Sequence, residues 1–328
     1  MRVGRPADVV DALLEIPVAP SFTRAGPMVR ARTDRWTSLD DYDLSGRVVV
    51  ITGPTSGLGW AAARQLARCG VTLVLVGRDR GRTVAVRDRL GELAGSAPHE
   101  AVVADMGDLD AVRRAGEEIR DRHPRLDVLI HNAGALTAVR TRTTAGLEST
   151  VASQVVGPFL LTSLLLGPLR AAAPGRVLTV SSGGMYATGL SVDHLQMDED
   201  YRGAEQYARA KRAQVTLNEM WADRFGGPDL VFHAVHPGWA DTPGVRDSLP
   251  VFRRMTGPLL RSPEQGADTV VWLAADDVRP RQTNGIFWHD RRPRSLHRLP
   301  STRRSDSPQR REQLWRMVAG LSGVDPAG

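Results

Sequence analysis

The sequence predicts an α/β fold, a doubly wound parallel sheet in one main domain with an extension at each end, and three observations carry that expectation. Short, continuous apolar runs rich in β-branched residues alternate with longer stretches of helical character. Such a run belongs to a strand buried on both faces, as in a parallel sheet, rather than to a half-exposed strand with period-two alternation. The first run leads straight into a glycine-rich turn and an alanine-rich helix, and strand then helix, repeated, makes right-handed crossovers in one sheet. The 328 residues hold one such domain of about 250 residues with material to spare.

Taken in order, residues 1–43 form an N-terminal extension. Val9, Val10, Leu13, Leu14 and Ile16 recur at helical spacing, which predicts a short amphipathic helix packed on the core; association with a membrane surface is the second reading. The main domain covers 44–290. Strands are expected over 48–51, 71–76, 101–104 and 126–130, with helices between them. A long helix over about 146–169, a strand over 176–180, a helix over 205–224 and strands over 230–235 and 285–288 complete the series. The tail, 291–328, is rich in Arg, Pro and Ser. Its Arg291, Arg292, Arg294, Arg298, Arg303, Arg304, Arg310 and Arg311 are expected to be solvated. Ser307 and Pro308 then supply a cap and a first-turn proline for a last helix bearing Leu314, Trp315, Val318 and Leu321.

Composition narrows the function. The formal net charge is +6, but the basic residues are scattered among 37 acids and no aromatics to stack bases are interleaved with the arginine cluster over 291–311, so no nucleic-acid partner is expected. The apolar run over 158–169 is too short to span a bilayer and predicts a buried or interface helix, not a transmembrane segment. Asp8, Asp11 and Glu15 interrupt the early apolar residues, which argues against a signal peptide. A single cysteine, Cys69, excludes an intramolecular disulfide and fits a cytoplasmic protein. No metal-ligand cluster is expected.

The turn after the first strand reads Thr52-Gly53-Pro54-Thr55-Ser56-Gly57-Leu58-Gly59. Glycines there let the chain turn tightly, let backbone N–H groups approach a pyrophosphate, and let the helix lie close on the strand. In that context the turn predicts a Rossmann-type dinucleotide site. The second strand ends Val76-Gly77-Arg78-Asp79, and Arg78 suits the 2′-phosphate of NADP(H), with Arg80 or Arg82 assisting. The competing reading has Asp79 on the ribose of NAD(H); NADP(H) is preferred. Asp105, with Met106 beside it, stands after the third strand at the adenine end, and Asn132-Ala133-Gly134 after the fourth would bring backbone against the cofactor.

Hydride transfer to a carbonyl leaves an oxygen that needs a proton and a donor to hold it. Tyr207 and Lys211 stand at i and i+4 on one helical face, where an ammonium lowers a phenol pKa. Lys211 is the one lysine among 43 Lys and Arg residues. A chain that meets every other demand for positive charge with arginine has kept a compact ammonium here. Ser182, at the end of the strand over 176–180, suits the carbonyl oxygen; capping of the turn before Gly183 is the competing role for the Ser181-Ser182 pair.

With those motifs the sequence resembles the short-chain dehydrogenase/reductase family over about 44–290, and within it the member-twelve and retinol-dehydrogenase-like group. The resemblance implies that Ser182 orients the carbonyl of a small-molecule carbonyl or alcohol substrate. It makes Tyr207 the acid/base, gives Lys211 the ribose and the tuning of Tyr207, and places Pro237, Gly238 and Thr242 at the nicotinamide. Asn132 matches the family's asparagine that supports the central sheet. It further implies a homo-oligomer in which the helices over 146–169 and 205–224 pair across a two-fold axis. Two departures stand out. Gln154 occupies the position of the family's catalytic asparagine, one methylene longer, and a weak or inactive NADP-binding regulator is the alternative reading it supports. The interval between Ser182 and Tyr207 is long, and its Met185, Tyr186, Leu190, Leu195 and Met197 either line or lid the substrate pocket or belong to the core.

Overall fold

Eight strands form one sheet: β1 (Val48–Thr52), β2 (Thr72–Gly77), β3 (His99–Val103), β4 (Val128–His131), β5 (Gly175–Val180), β6 (Leu230–Val235), β7 (Ile286–His289) and β8 (Arg292–Arg294). The computed structural model describes residues 6–16, 19–94, 97–248 and 250–325. Strand order is β3-β2-β1-β4-β5-β6-β7-β8, parallel throughout except for the antiparallel pair β7 and β8. The order reverses between β1 and β4, so a crevice opens beyond the carboxyl ends of those strands, where open α/β sheets bind ligands. All seven strands expected from the apolar runs are present, with ends displaced by one or two residues.

The apolar runs divide by parity, as a pleated strand with two buried faces requires. Val50, Val74, Val76, Leu129 and Phe232 belong to one core cluster. Val49, Ile51, Leu73, Leu75, Ile130 and Val235 belong to the other. The second is covered by α4 (Gly57–Arg68) and α11 (Pro263–Ala275), with α5 (Arg80–Ala94) beside them. The first is covered by α6 (Leu109–Arg122), α7 (Ser149–Arg170), α8 (Gly203–Phe225) and α13 (Pro308–Ser322). Helix α7 is long and apolar enough to cross a membrane by length and composition, with a mean hydropathy of 1.5, yet 72% of that window is buried within the fold. It is a core helix here.

The structure corrects several expectations. The predicted N-terminal helix exists as α1 (Pro6–Glu15), followed by α2 (Ala19–Phe22) and α3 (Ala25–Thr33). Its apolar stripe faces solvent, however: Val9, Leu13 and Ile16 are 56%, 67% and 78% exposed, while Asp11 is buried. Charge holds the extension. The buried Arg30 bonds Asp11 at 2.7 Å, Glu15 at 3.0 Å and Asp290 at 2.5 Å. The arginines after β7 are correspondingly not a solvated tail. Arg291 grips Asp268 through two bonds of 2.8 Å, Arg294 grips Asp11 through two of 2.7 Å, and Arg292 and Arg298 pair with Asp34 and Glu15. Each cation meets an acid more than 20 residues distant, a pairing without local signal in sequence.

The long interval after Ser182 is core. Met185, Tyr186, Leu190, Leu195 and Met197 are all buried, and Arg212 ties the interval to the segment after β8 by donating to Met185 O, Thr188 O and Leu296 O. Finally, α13 lies over α7 and α8. Trp315 stacks its edge on Phe159 and Trp221 at 4.8 Å each, and Arg311 pairs with Glu219 at 2.6 Å. Part of the apolar surface of α7 and α8 is thus covered by the chain's own last helix.

Candidate active site

At the nucleotide end, the turn after β1 is built for close approach. A Cβ at Gly59 would lie 2.0 Å from Gly53 O, so only glycine lets α4 start this near the strand. Ser56 is the N-cap of α4 but makes no side-chain cap bond, which leaves the first N–H groups of the helix open to an anion. That arrangement fits the pyrophosphate of a dinucleotide. Thr55, Gly57 and Leu58 complete the turn, and Gly57 lies against Thr242, so the loop after β6 closes over it.

Arg78, Arg80 and Arg82 are exposed beyond β2, and no ion pair forms on any of them among the described residues. Asp79 is occupied locally: its Oδ1 accepts from Arg82 N at 2.8 Å, capping α5. Asp105 is exposed at the end of β3 and caps Gly107 N with Oδ1 at 2.8 Å; Met106 is buried in the core beneath it. Thr52 and Asn132 spend their side chains on the scaffold. Thr52 Oγ1 accepts from Asn132 N and Ala133 N at 3.1 and 3.0 Å, and Asn132 Nδ2 donates to Thr52 O and Gly53 O at 3.0 Å each. They lock the turn to the loop that ends in the exposed Gly134.

At the other end the sheet brings together what the sequence spaced apart. Ser181 is buried and donates to Lys211 O at 3.3 Å, which makes it structural. Ser182 is half-buried; its hydroxyl caps Gly184 N at 3.2 Å and is also hydrogen-bonded to Tyr207. Burial raises the Tyr207 phenol above its ordinary pKa of 10, and the bond to Ser182 offsets part of that rise. Lys211, 3% exposed, donates to Val180 O at 3.0 Å and sits 5.4 Å from the Tyr207 ring centroid. Burial without a carboxylate partner pulls its ammonium down to about 7.

Gln154 lies in a π-helical turn, Ala152–Val156, inside α7. Such turns recur at functional sites, and the pattern of apolar residues gave no warning of it. Its Nε2 donates to Ala135 O at 2.7 Å, while Oε1 has no protein partner. A Cβ on Gly134 would meet Gln154 Oε1 at 3.0 Å and Lys211 Nζ at 3.4 Å, so both groups face one small opening.

The loop after β6, which carries Pro237, Gly238 and Thr242, rests on residues without a local signal in the sequence. Pro237 O accepts from Arg261 at 3.3 Å. Gly238 has φ +77°, and a Cβ there would lie 2.2 Å from Arg261 Nε. Arg261 is buried and ion-paired with Asp290 at 2.6 Å, and it donates to Ser21 O, Phe22 O and Thr23 O. Phe22 of the extension in turn packs edge-on against His236 at 4.4 Å and Trp239 at 5.7 Å. Thr242 Oγ1 accepts from Val245 N at 3.3 Å.

Comparison with known proteins bears on this arrangement. A family model described as short chain dehydrogenase matches residues 47–250. The human dehydrogenase/reductase SDR family member 12 is 38% identical over 283 residues, 86% of this chain and 88% of that one. A Streptomyces protein assigned as a daunorubicin C-13 ketoreductase is 39% identical over 250 residues, 76% of this chain and 85% of that one. Among solved structures, a Beutenbergia cavernae protein assigned as an NAD(P)-dependent gluconate 5-dehydrogenase, with bound NADP, superposes at a TM-score of 0.62. It is 25% identical and covers 75% of this chain and 95% of its own.

Proposed function

The chain belongs to the short-chain dehydrogenase family, and from that premise we propose that it is an NADP(H)-dependent oxidoreductase of small carbonyl or alcohol substrates with Tyr207 as acid/base. The observation that carries the reading is the convergence of Ser182, Tyr207 and Lys211 at the ends of β5 and α8, opposite the exposed Gly134. A bound nicotinamide supplies or accepts the hydride. Ser182 donates to the substrate oxygen, and Tyr207 gives that oxygen its proton in reduction or removes it in oxidation. Burial keeps the phenol protonated, which suits the reducing direction. Lys211, held on Val180 O, would have its remaining donors for the ribose of a bound cofactor. Arg78, free of ion pairs, supports NADP(H) over NAD(H), as does the NADP in the Beutenbergia structure.

The test is Tyr207→Phe. Turnover of NADPH across a panel of ketones and aldehydes should fall by about 10²–10⁴-fold with NADPH affinity intact. Equal turnover in the variant would sink the mechanism, and NADPH binding without turnover in the wild type would favour the regulatory reading that Gln154 raises.

A further inference from the structure

Beneath the catalytic residues, between the π-helical turn of α7 and helix α8, lies an internal cavity of about 30 Å³ whose lining residues are all buried. His131, Gln154, Thr162, Gln214 and Asn218 contribute its polar walls, and Trp221 and Phe232 are among its apolar ones. Four of the polar residues each carry a buried atom without a protein partner: Gln154 Oε1, which lies toward Gly134, and His131 Nδ1, Gln214 Oε1 and Asn218 Oδ1. The last three residues are 3%, 5% and 4% exposed. Leaving one such atom unsatisfied costs about 1–3 kcal/mol, and three around one space are a far stronger demand than chance packing makes. A space of about 10–15 Å³ per water, with two to four polar partners, is what a resident water needs.

We propose that this cavity is a built hydration site holding one or two waters on His131, Gln214 and Asn218. Through it, Gln214 and Asn218 act as positioning residues for Gln154. The second part rests on the oxidoreductase reading above; the first does not. Gln214 carries both roles. Its Nε2 donates to Gln154 O at 2.5 Å, clamping a carbonyl of the π-helical turn, while its Oε1 belongs to the unsatisfied set. His131 stays neutral, because burial pulls it down to about 3, and with Nε2 bonded to Thr162 Oγ1 at 2.7 Å its Nδ1 is left for a water. Gln154 forms the wall between this site and the opening it shares with Lys211 at Gly134. A glutamine longer by one methylene than the asparagine of the family pattern thus sits on a turn whose backbone is held from behind.

The experiment has two arms on the full chain. In the first, a high-resolution crystal structure is expected to show ordered water within hydrogen-bond distance of at least two of the three atoms. Asn218→Leu, which fills the space, should lose that density and lower the thermal midpoint. A dry cavity, or a variant more stable than the wild type, overturns the hydration site whatever the protein catalyses. In the second arm, Asn218→Leu and Gln214→Leu should lower kcat for the best carbonyl of the panel by about 10–10²-fold, as small misplacements do. KM and NADPH affinity should be unchanged, and Asn218→Ser, which leaves room for a further water, should restore most of the loss. Unchanged kcat beside an active wild type overturns the positioning role alone. Should the wild type itself fail to turn over, the oxidoreductase reading has failed, and the first arm still decides the water.

Discussion

The guanidinium of Arg261 occupies the space that any side chain at position 238 would need, 2.2 Å from where a Cβ on Gly238 would stand. The loop after β6 is thus moulded around a buried cation, and that cation is paired with Asp290.

Asp290 holds both Arg261 and Arg30, so losing Arg261 strips one of two cations from a buried carboxylate, at a cost below the roughly 3–5 kcal/mol of one left wholly unpaired. Arg261→Met should therefore destabilise the protein by about 1–3 kcal/mol in chemical denaturation. It should also weaken NADPH binding, because Pro237 O loses its donor. A variant with wild-type stability and affinity would show that the loop stands without the brace.

Lys211 ties stability to pH with a definite sign. The folded chain holds this ammonium at about 7 against an ordinary 10.5, so between those values the unfolded chain binds a proton that the folded chain does not, and raising the pH favours folding. Relative to Lys211→Met, the wild type without cofactor should gain stability steadily from pH 7 toward pH 10 and show a constant difference below pH 7. Parallel unfolding midpoints across that range would place the lysine in contact with an unseen counter-charge.

Arg78 is free to meet a phosphate. Charge-assisted hydrogen bonds of that kind are worth about 1.5–3 kcal/mol, so Arg78→Ala should weaken NADPH by about 10–10²-fold and leave NADH unchanged. Fluorescence titration of both cofactors reads the difference, and equal losses for the two would remove the arginine from the ribose.

Trp315 is 1% exposed within a cluster of Phe159, Trp221 and Phe225. Trp315→Ala should cost about 3–5 kcal/mol. Urea denaturation at two protein concentrations measures it, with midpoints independent of concentration if α13 is the partner of α7 and α8. A loss below about 1 kcal/mol would mean that the helix is an appendage.

The sheet and the Tyr207–Lys211 pair were legible because both are local: a run of Val and Ile declares a buried strand, and i, i+4 spacing declares a shared face. The Ser182 hydroxyl could be placed for the same reason, since it ends such a strand. What stayed hidden is set by distance. Val9, Leu13 and Ile16 carry a helical period whether they face protein or water, and the choice is made by Asp11 and Glu15 finding Arg30, Arg294 and Arg298. The π-helical turn at Gln154 and the buried Arg261 likewise depend on partners that no window of sequence contains.

The bond between Arg30 and Asp290 joins positions 260 residues apart, and Arg261 reaches back 238 residues or more to Ser21, Phe22 and Thr23. Contacts of such separation close late. During synthesis, therefore, the turn at Gly53 and the strands before β5 can assemble early, whereas the loop at Pro237 acquires its support only after residue 290 has left the ribosome and found the first helices. A chain cut short before that point would keep a nucleotide-binding half and lack a firm hydride-transfer half, which makes catalytic competence a late-acquired property of the whole polypeptide.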